Sequence, residues 1–238
     1  MYWNDVESWI SLNGYEALVL FSSEQEMSQE VIDVKFKELD NLKDKNVFEE
    51  VEFKGQQTVV SSRWIVTEKD DEGKRKVKAR LVARGFEEDC ESLGIRTDSP
   101  TCNKYSLRLV MNTTACYNWA INSIDIDSAF LQGNDINRKL YLRPPKEFCP
   151  ADRVWRLKRC IYGLKDAPRE WNTKVIEEMM KLGAVRCSLD NAMFTWYENG
   201  ELIGLAVTHV DDFIYCGTTN LNDNVISTIK RKFNKFGI

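Results

Sequence analysis

Aspartate residues stand in or beside apolar, strand-like segments at two places in the sequence. Asp125 lies within the apolar stretch 121–126, and Asp211 and Asp212 follow the β-prone run 201–208. An unpaired carboxylate in an apolar segment is costly. A divalent cation such as Mg²⁺ is one suitable partner, because it prefers oxygen ligands from one or two carboxylates together with substrate phosphates. Two strands that bring aspartates to a common edge would supply what two-metal phosphoryl transfer requires, with Mn²⁺ as an alternative ion.

An ordinary structural role fits the same three residues. The chain has 37 acidic residues among 238, and turns between strands favour aspartate. Spacing along the sequence does not show that Asp125 approaches Asp211 and Asp212 in space. On residue types alone, a metal site and a solvated turn both remain open.

The first element that the pattern predicts is an acidic, amphipathic helix from about 24 to 45. Ser23 followed by Glu26 has the form of a capping box. The residues at helical spacing behind it are Ile32, Phe36, Leu39 and Lys43. Residues 1–22 show no clean period and are interpreted as a leader without a predicted element.

From 47 to 86 the chain reads as strands. The run 59–67 is rich in Val, Ile, Thr and Trp, the segment 70–73 supplies a turn, and the run 77–85 alternates apolar and basic residues. A hairpin is therefore predicted. Its face with Lys78, Arg80 and Arg84 would present cations about 6–7 Å apart.

Four further elements are predicted after this hairpin. A helix is predicted over 104–118, with Leu107, Val110, Met111 and Thr114 on one side. Asp166 to Leu182 reads as a second helix, with Pro168 in its first turn. Asn199-Gly200 between two β-prone runs, 193–198 and 201–208, is the signature of a type I′ hairpin. The segment 221–236 reads as a basic helix.

Charge is unevenly distributed, although the net charge is −4. Residues 1–52 contain 13 acidic and 4 basic residues, whereas 138–169 contains ten basic against three acidic, and 63–86 eight against four. Two such basic stretches could line a groove that follows a phosphate backbone. They could equally be solvated faces of surface strands.

The cysteines and the amino terminus bear on the cellular location of the protein. The seven cysteines form no CxxC pair, which favours reduced thiols over a disulfide framework or a zinc site. No secretory signal or membrane span is visible, so we expect no membrane partner. The expected location is intracellular, with cytoplasmic particle and nucleus both open.

Several motifs resemble those of copia-type (Ty/copia, pseudovirus) retrotransposon reverse transcriptases. Residues 124–133 resemble the family motif LDVKTAFLNG, 161–171 resemble YGLKQAPRAW, 209–212 resemble YVDD, and 78–86 resemble KARLVAKGF. Ser99-Pro100 stands where that family has its FSP. The motifs occur in the family's order over about 45–217, which identifies the chain as a member.

The resemblance implies an α+β fold: the fingers and palm of a right-hand polymerase, with an antiparallel palm sheet backed by helices. Residues 1–44 would form an acidic leader, 45–217 the fingers and palm, and 218–238 the start of the palm/thumb region. Most of the thumb would be missing, so the chain is expected to be a fragment.

The resemblance also assigns site residues. Asp125, Asp211 and Asp212 would be the catalytic, metal-binding aspartates for two Mg²⁺ ions. Phe130 would exclude a 2′-hydroxyl sterically, although it could also be a plain core aromatic. Arg80, and more weakly Lys78, would grip the nucleotide triphosphate, for which a guanidinium is suited. Further residues expected near template or primer are Gly163, Pro168 and His209. Trp171 is expected in the core.

Three positions depart from the family pattern. His209 replaces a tyrosine and is expected to fill its space, a general-base role being the alternative. Asp166 replaces a glutamine and Asp127 a lysine. Both substitutions add negative charge near a site that must hold phosphates, so either could lower activity.

The implied function is RNA-directed DNA synthesis, in which deoxynucleotides are added to a primer 3′-hydroxyl. The implied partners are an RNA or DNA template with primer, deoxynucleoside triphosphates, and a second chain or further polyprotein segments that supply thumb and ribonuclease H.

Two alternative functions stand beside RNA-directed DNA synthesis. One is a catalytically silent remnant that keeps the fold and binds nucleic acid weakly. The other, a palm-type nucleotidyl cyclase, would need no template groove and is disfavoured by the basic stretches and the motifs.

Overall fold

The computed structural model describes residues 8–12, 15–20, 29–55, 57–71, 74–146 and 148–233. The chain divides into two compact units. Unit 1 comprises Met1–Gly94 and Asp135–Lys165, and unit 2 comprises Ile95–Asn134 and Asp166–Ile238. Both contain helices and strands, which confirms the predicted α+β class. None of the helices in the described ranges is long and apolar enough to cross a membrane.

The regular elements of the described residues are strands and helices. They are β1 (Ser8–Leu12), β2 (Tyr15–Leu20), α1 (Gln29–Asp44), β3 (Phe48–Glu52), β4 (Val59–Asp71), β5 (Lys74–Ala83), α2 (Lys104–Tyr117), β6 (Ile121–Asp125), β7 (Tyr141–Arg143), β8 (Arg153–Leu157), α3 (Ala167–Lys181), β9 (Val185–Arg186), β10 (Met193–Glu198), β11 (Glu201–His209), β12 (Asp212–Gly217), α4 (Thr219–Leu221) and α5 (Ser227–Phe233). Short 3₁₀ helices occupy Gly85–Glu87 and Ala129–Gln132, and a π-helical segment, Asn222–Ile226, joins α4 to α5.

Unit 1 is built on a seven-stranded sheet, counted over the described residues. Its strand order is β1-β2-β4-β7-β8-β3, with β5 paired to β4. β1 and β2 lie within 1–22, where the sequence pattern predicted no element. The interpretation of this part of the chain as a leader stays a prediction. β2 pairs with β4 through Leu18↔Glu68 to Leu20↔Val66. This pairing is a long-range contact, which local periodicity does not encode.

Helix α1 packs against β5 on a face that includes Leu39 but not Phe36 or Lys43 of the residues predicted at helical spacing. Its buried residues are Lys35, Glu38, Leu39 and Leu42, whereas Phe36 is 51% exposed. The face toward the sheet therefore combines Leu39 and Leu42 with two charged side chains. Burial raises the pKa of Glu38, and a hydrogen bond from Asn41 offsets part of that rise. The predicted capping box at Ser23 and Glu26 lies outside the described residues.

The predicted hairpin of β4 and β5 is confirmed. The two strands pair from Ser62↔Ala83 to Asp71↔Lys74. Every second residue of β5 from Val77 onward is buried, while Lys78 is exposed and Arg80 half-buried. The alternation of apolar and basic residues thus gives one buried face and one basic face, as period-two patterning predicts.

Unit 2 holds a five-stranded antiparallel sheet among the described residues, in the order β6-β12-β11-β10-β9. Two core clusters take alternate residues of its strands. The larger, which we call the main core, contains Phe213 and Tyr215 and packs with α3 and α5. The smaller, around Val110 of α2, contains Cys216 and packs with Ile214. Helices therefore back the antiparallel sheet, as predicted for the palm.

The local predictions for unit 2 agree with the structure, with one exception. α2, β6, α3 and the β10–β11 hairpin form where predicted, and Asn199 (φ 50°) and Gly200 (φ 84°) both adopt the left-handed conformation of a type I′ turn. The predicted helix over 221–236 is interrupted by the π-helical segment and present as α5 over 227–233, and its last three residues lie outside the described residues. The exception is Met111, which is 49% exposed and not on the buried side of α2.

Candidate active site

Asp125 and Asp212 lie directly opposite each other on neighbouring strands. Asp125 ends β6, Asp212 begins β12, and the antiparallel register pairs the two residues. Residues paired in this way share one face of a sheet, with Cβ atoms about 4.5–5.5 Å apart. Both side chains are exposed. The sequence left open whether these residues meet; the structure brings them together.

A strained two-residue turn carries the third aspartate. β11 ends at His209 and β12 begins at Asp212, so Val210 and Asp211 form the turn between them. Val210 has φ 57°. A β-branched residue rarely adopts a positive φ, and such strain persists only where the surroundings hold it. The aspartate doublet is therefore on a tight turn, as the resemblance implied.

Hydrogen bonds from outside the hairpin fix both peptide carbonyls of this turn. The amide of Ile126 donates to the Asp211 carbonyl at 3.0 Å. The indole Nε1 of Trp171, on α3, donates to the Val210 carbonyl at 2.7 Å. Trp171 is 1% exposed and belongs to the main core, as predicted. Sequence reasoning missed its polar contact, although a buried tryptophan N–H usually requires an acceptor.

The protein alone does not assemble a closed three-ligand metal cage here. Within the described ranges, no three His, Cys, Asp or Glu side chains are grouped closely enough to hold an ion. The paired carboxylates of Asp125 and Asp212 nonetheless suit Mg²⁺, which usually takes one or two protein carboxylates and completes its shell with water and phosphate oxygens. The donor chemistry fits a divalent cation, and the assignment of Asp211 as a third ligand stays a prediction.

The remaining unit 2 candidates lie beside the turn, in the 3₁₀ helix after β6 and at the start of α3. His209 is exposed and pairs in register with Asp212. Phe130, in the 3₁₀ helix Ala129–Gln132, is half-buried and packs against the main core. Pro168 occupies the first turn of α3, and its carbonyl accepts a hydrogen bond from Ser99 Oγ at 3.1 Å. Their roles toward nucleotide, template or primer stay predictions.

Two of the departures from the family pattern differ in exposure. Asp127 is exposed, and its backbone carbonyl accepts a hydrogen bond from Gln132 Nε2 at 2.7 Å. Asp166 is 1% exposed and stands at the N-cap of α3. Asp166 is therefore part of the packed structure, whereas Asp127 adds its charge at the surface.

Arg80, Lys78 and Gly163 belong to unit 1. The Arg80 guanidinium lies over the Tyr162 ring, 5.4 Å from its centroid. Its Nε is buried without a hydrogen-bond partner. Lys78 is exposed on the same face of β5, and Gly163, with φ 90°, follows Tyr162. The structure thus places Arg80 and Gly163 near the end of β5 and Lys78 in the middle of that strand. Contact of the three residues with nucleotide stays a prediction.

Both basic stretches fall almost wholly in unit 1, where β4 pairs with β7. Some of the basic side chains in these stretches form ion pairs within unit 1. Arg138 forms a bidentate ion pair with the buried Glu88, in which Nε and Nη2 donate to the two carboxylate oxygens at 2.6 and 2.8 Å. Arg156 and Lys158 both contact Glu49. Fewer cations are therefore available to phosphates than the sequence count suggests.

The comparison with protein families settles the class. The model of the family described as reverse transcriptase (RNA-dependent DNA polymerase) matches residues 45–236. This chain belongs to that family. Within the matched residues, helices back an antiparallel sheet, and Asp125 and Asp212 pair beside a strained hairpin turn.

The relatives identify the kind of reverse transcriptase. The retrovirus-related Pol polyprotein from transposon RE2 of Arabidopsis thaliana is 32% identical over 182 residues, which are 74% of this chain and 12% of the relative. The truncated transposon Ty1-A Gag-Pol polyprotein of Saccharomyces cerevisiae is 26% identical over 228 residues, which are 92% of this chain and 18% of the relative. The resemblance to copia-type retrotransposon reverse transcriptases is therefore confirmed. The chain spans less than a fifth of the length of these relatives.

Among solved structures, the foamy viral protease-reverse transcriptase in complex with double-stranded DNA is similar with a TM-score of 0.44 and 13% identity. That match covers 91% of this chain and 31% of the other.

Proposed function

We propose that this chain catalyses RNA-directed DNA synthesis, adding deoxynucleotides to a primer 3′-hydroxyl by two-metal phosphoryl transfer. The observation that carries the proposal is the register pairing of Asp125 with Asp212 beside the strained turn that holds Asp211. Membership of the reverse transcriptase family supports the reaction class.

Each aspartate has a distinct structural setting in this mechanism. Asp125 and Asp212 present neighbouring carboxylates from two hydrogen-bonded strands, and Asp211 contributes from the turn. Mg²⁺ ions bound there with the substrate triphosphate would activate the 3′-hydroxyl and stabilise the leaving pyrophosphate. Mn²⁺ would serve as a substitute.

The other candidate residues would act on the substrate rather than on the metal. Arg80, assisted by Lys78, would bind the triphosphate, since a guanidinium offers paired donors to phosphate oxygens. Phe130 would restrict the space beside the sugar and disfavour a 2′-hydroxyl. Gly163, Pro168 and His209 would lie near template or primer.

The proposed partners are an RNA or DNA template with its primer and deoxynucleoside triphosphates. Further segments of a longer polyprotein, or a second chain, would supply thumb and ribonuclease H functions. The basic strand β5 of unit 1 would supply charge for phosphate contacts.

Primer extension on poly(rA)–oligo(dT) with Mg²⁺ tests the proposal. We expect extension by the parent chain and a loss of about a thousandfold or more in Asp125→Asn and Asp211→Asn, because metal binding supplies several kcal/mol of charge stabilisation. Asp223→Asn, which changes an exposed aspartate in the π-helical segment, is the control and should retain parent activity.

Two outcomes would contradict the proposal. Extension that survives in Asp125→Asn or Asp211→Asn would show that these carboxylates do not bind the metal. No extension by the parent, with primer–template still bound, would favour the catalytically silent remnant.

A further inference from the structure

The hairpin turn between β11 and β12 depends on two hydrogen bonds from other elements. The Asp211 carbonyl accepts from Ile126, the residue that follows Asp125. The Val210 carbonyl accepts from Trp171 Nε1 on α3. Since the peptide planes of the turn set the directions of the side chains that follow, these two bonds orient Asp211 and Asp212.

Packing on several sides fixes the position of the Trp171 side chain. Its indole is 1% exposed and packs edge-on against Phe233, with ring centroids 5.1 Å apart. It shares the main core with Ile124 and Phe213, the apolar neighbours of Asp125 and Asp212. Gly133 approaches the Trp171 backbone so closely that a Cβ there would lie 3.1 Å from the Trp171 nitrogen. Ring and backbone are therefore both held from several sides.

The turn needs such an anchor because it is strained. The left-handed conformation costs an ordinary residue about 1–2 kcal/mol, and β-branched Val210 adopts it at φ 57°. A buried hydrogen bond contributes a net amount of similar size. The bond from Trp171 is thus large enough to decide whether the turn keeps this conformation.

We infer that Trp171 is a positioning residue, whose indole N–H holds the strained Val210–Asp211 turn so that the aspartate doublet faces the divalent cation. The inference rests on the proposed function, because it concerns the same metal site. Trp171 is 1% exposed, and in this role it acts through the backbone of the turn.

Trp171→Phe removes the N–H while keeping an aromatic ring, and Trp196→Phe is its matched control. Trp196 lies in the same main core, is 5% exposed, and donates its Nε1 to the Leu182 carbonyl at 3.0 Å, away from the turn. Both variants should lose similar thermal stability. Only Trp171→Phe should weaken Mn²⁺ binding, by about fivefold, as expected for the loss of one hydrogen bond.

Mn²⁺ titration of the whole chain, followed by electron paramagnetic resonance, measures this affinity. Equal Mn²⁺ affinity in the two tryptophan variants would overturn the inference. Asp125→Asn and Asp211→Asn, titrated in parallel, test the metal site itself. If they lose Mn²⁺ binding while Trp171→Phe keeps it, the metal site stands and the positioning role fails; if they keep it, the proposed function fails.

Amide hydrogen exchange and a double variant complete the test. Exchange at Val210–Asp212 should be faster in Trp171→Phe than in Trp196→Phe, whether or not metal is present; equal exchange would overturn the inference.

Val210→Gly relieves the positive-φ strain. In the Val210→Gly background, Trp171→Phe should lower the Mn²⁺ affinity less than it does in the parent. An equal loss of affinity would refute the idea that the Trp171 hydrogen bond holds the turn against backbone strain.

Discussion

At the scale of single residues, Glu178 shows how this chain keeps a buried charge. Its carboxylate, 4% exposed, contacts Lys174 at 3.4 Å and Lys181 at 3.1 Å, and Lys232 of α5 donates to it. Burial alone would raise the pKa of Glu178, but the hydrogen bonds from Lys232 and Lys181 outweigh it and lower the pKa from 4.5 to about 2. The cluster ties α5 to α3.

This depressed pKa predicts a pH dependence of stability. A carboxyl whose pKa is lower in the folded state stabilises the fold above its unfolded pKa of 4.5, and this contribution is lost as the pH falls toward about 2. Glu178→Gln should lower the free energy of unfolding at pH 7 by about 1–2 kcal/mol, a value reduced by solvent screening of the exposed lysines.

Denaturant unfolding between pH 2 and pH 7 measures this contribution. Parent and variant should differ at pH 7 and converge near pH 2. Glu177→Gln is the control, because Glu177 is exposed on the same helix and should leave the profile unchanged. A constant difference across the pH range would contradict the role assigned to the Glu178 charge.

At the scale of elements, two glycines bring two sequence motifs of unit 1 into backbone contact. A Cβ on Gly85 would lie 2.3 Å from the Gly163 carbonyl oxygen, and a Cβ on Gly163 would lie 2.1 Å from the Ala83 oxygen. The Ala83 amide also donates to the Tyr162 carbonyl at 2.8 Å. The end of β5 and the loop before α3 therefore pack backbone against backbone, which places Tyr162 beside Arg80.

Gly163→Ala should destabilise unit 1 more than Gly55→Ala does. Both glycines have a positive φ, 90° and 78°, but a Cβ on Gly55 would meet nothing within 4 Å. Gly55→Ala should therefore cost only the conformational term, about 1–2 kcal/mol, whereas Gly163→Ala adds about 1–3 kcal/mol of overpacking. Chemical denaturation measures both, and equal costs would show that the loop can move aside.

At the scale of the whole molecule, charge is sorted between segments more than the net value of −4 suggests. The β4–β5 hairpin and the β7–β8 region bring both basic stretches into unit 1. Ion pairs such as Arg138 with Glu88 use some of these cations within unit 1, and Lys78 lies exposed on β5. If the chain binds primer–template as proposed, these basic stretches would contribute phosphate contacts.

Primer–template affinity should therefore fall steeply with salt. Each phosphate contact contributes a slope of about −0.7 to −0.9 to the plot of log affinity against log salt, so we expect a total slope of about −3 or steeper. Fluorescence anisotropy of a labelled primer–template measures it. A second duplex of unrelated sequence is the control and should bind alike, because phosphate contacts carry no sequence information. A flat salt dependence would contradict template binding and reopen the cyclase alternative.

Local order in the chain was largely predictable from the sequence. The Asn199-Gly200 turn, the β4–β5 hairpin, α2 and α3 depend on propensities and periodicities within short windows, which neighbouring residues decide. The motifs around Asp125 and Asp211 identified the family, since their order along the chain is specific. The hairpin of β1 and β2 and the buried face of α1 were not predictable, because the elements they pack against lie far away in sequence.

The sequence by itself determined the family, the candidate aspartates and most of the elements that carry them. Only the tertiary structure decided that Asp125 pairs with Asp212, that Val210 is strained, and that Trp171 bonds to the turn. The reason is physical: strand register and the acceptor of a buried N–H are set by pairing and packing between distant segments, whereas residue type and periodicity report only on the segment in which they occur.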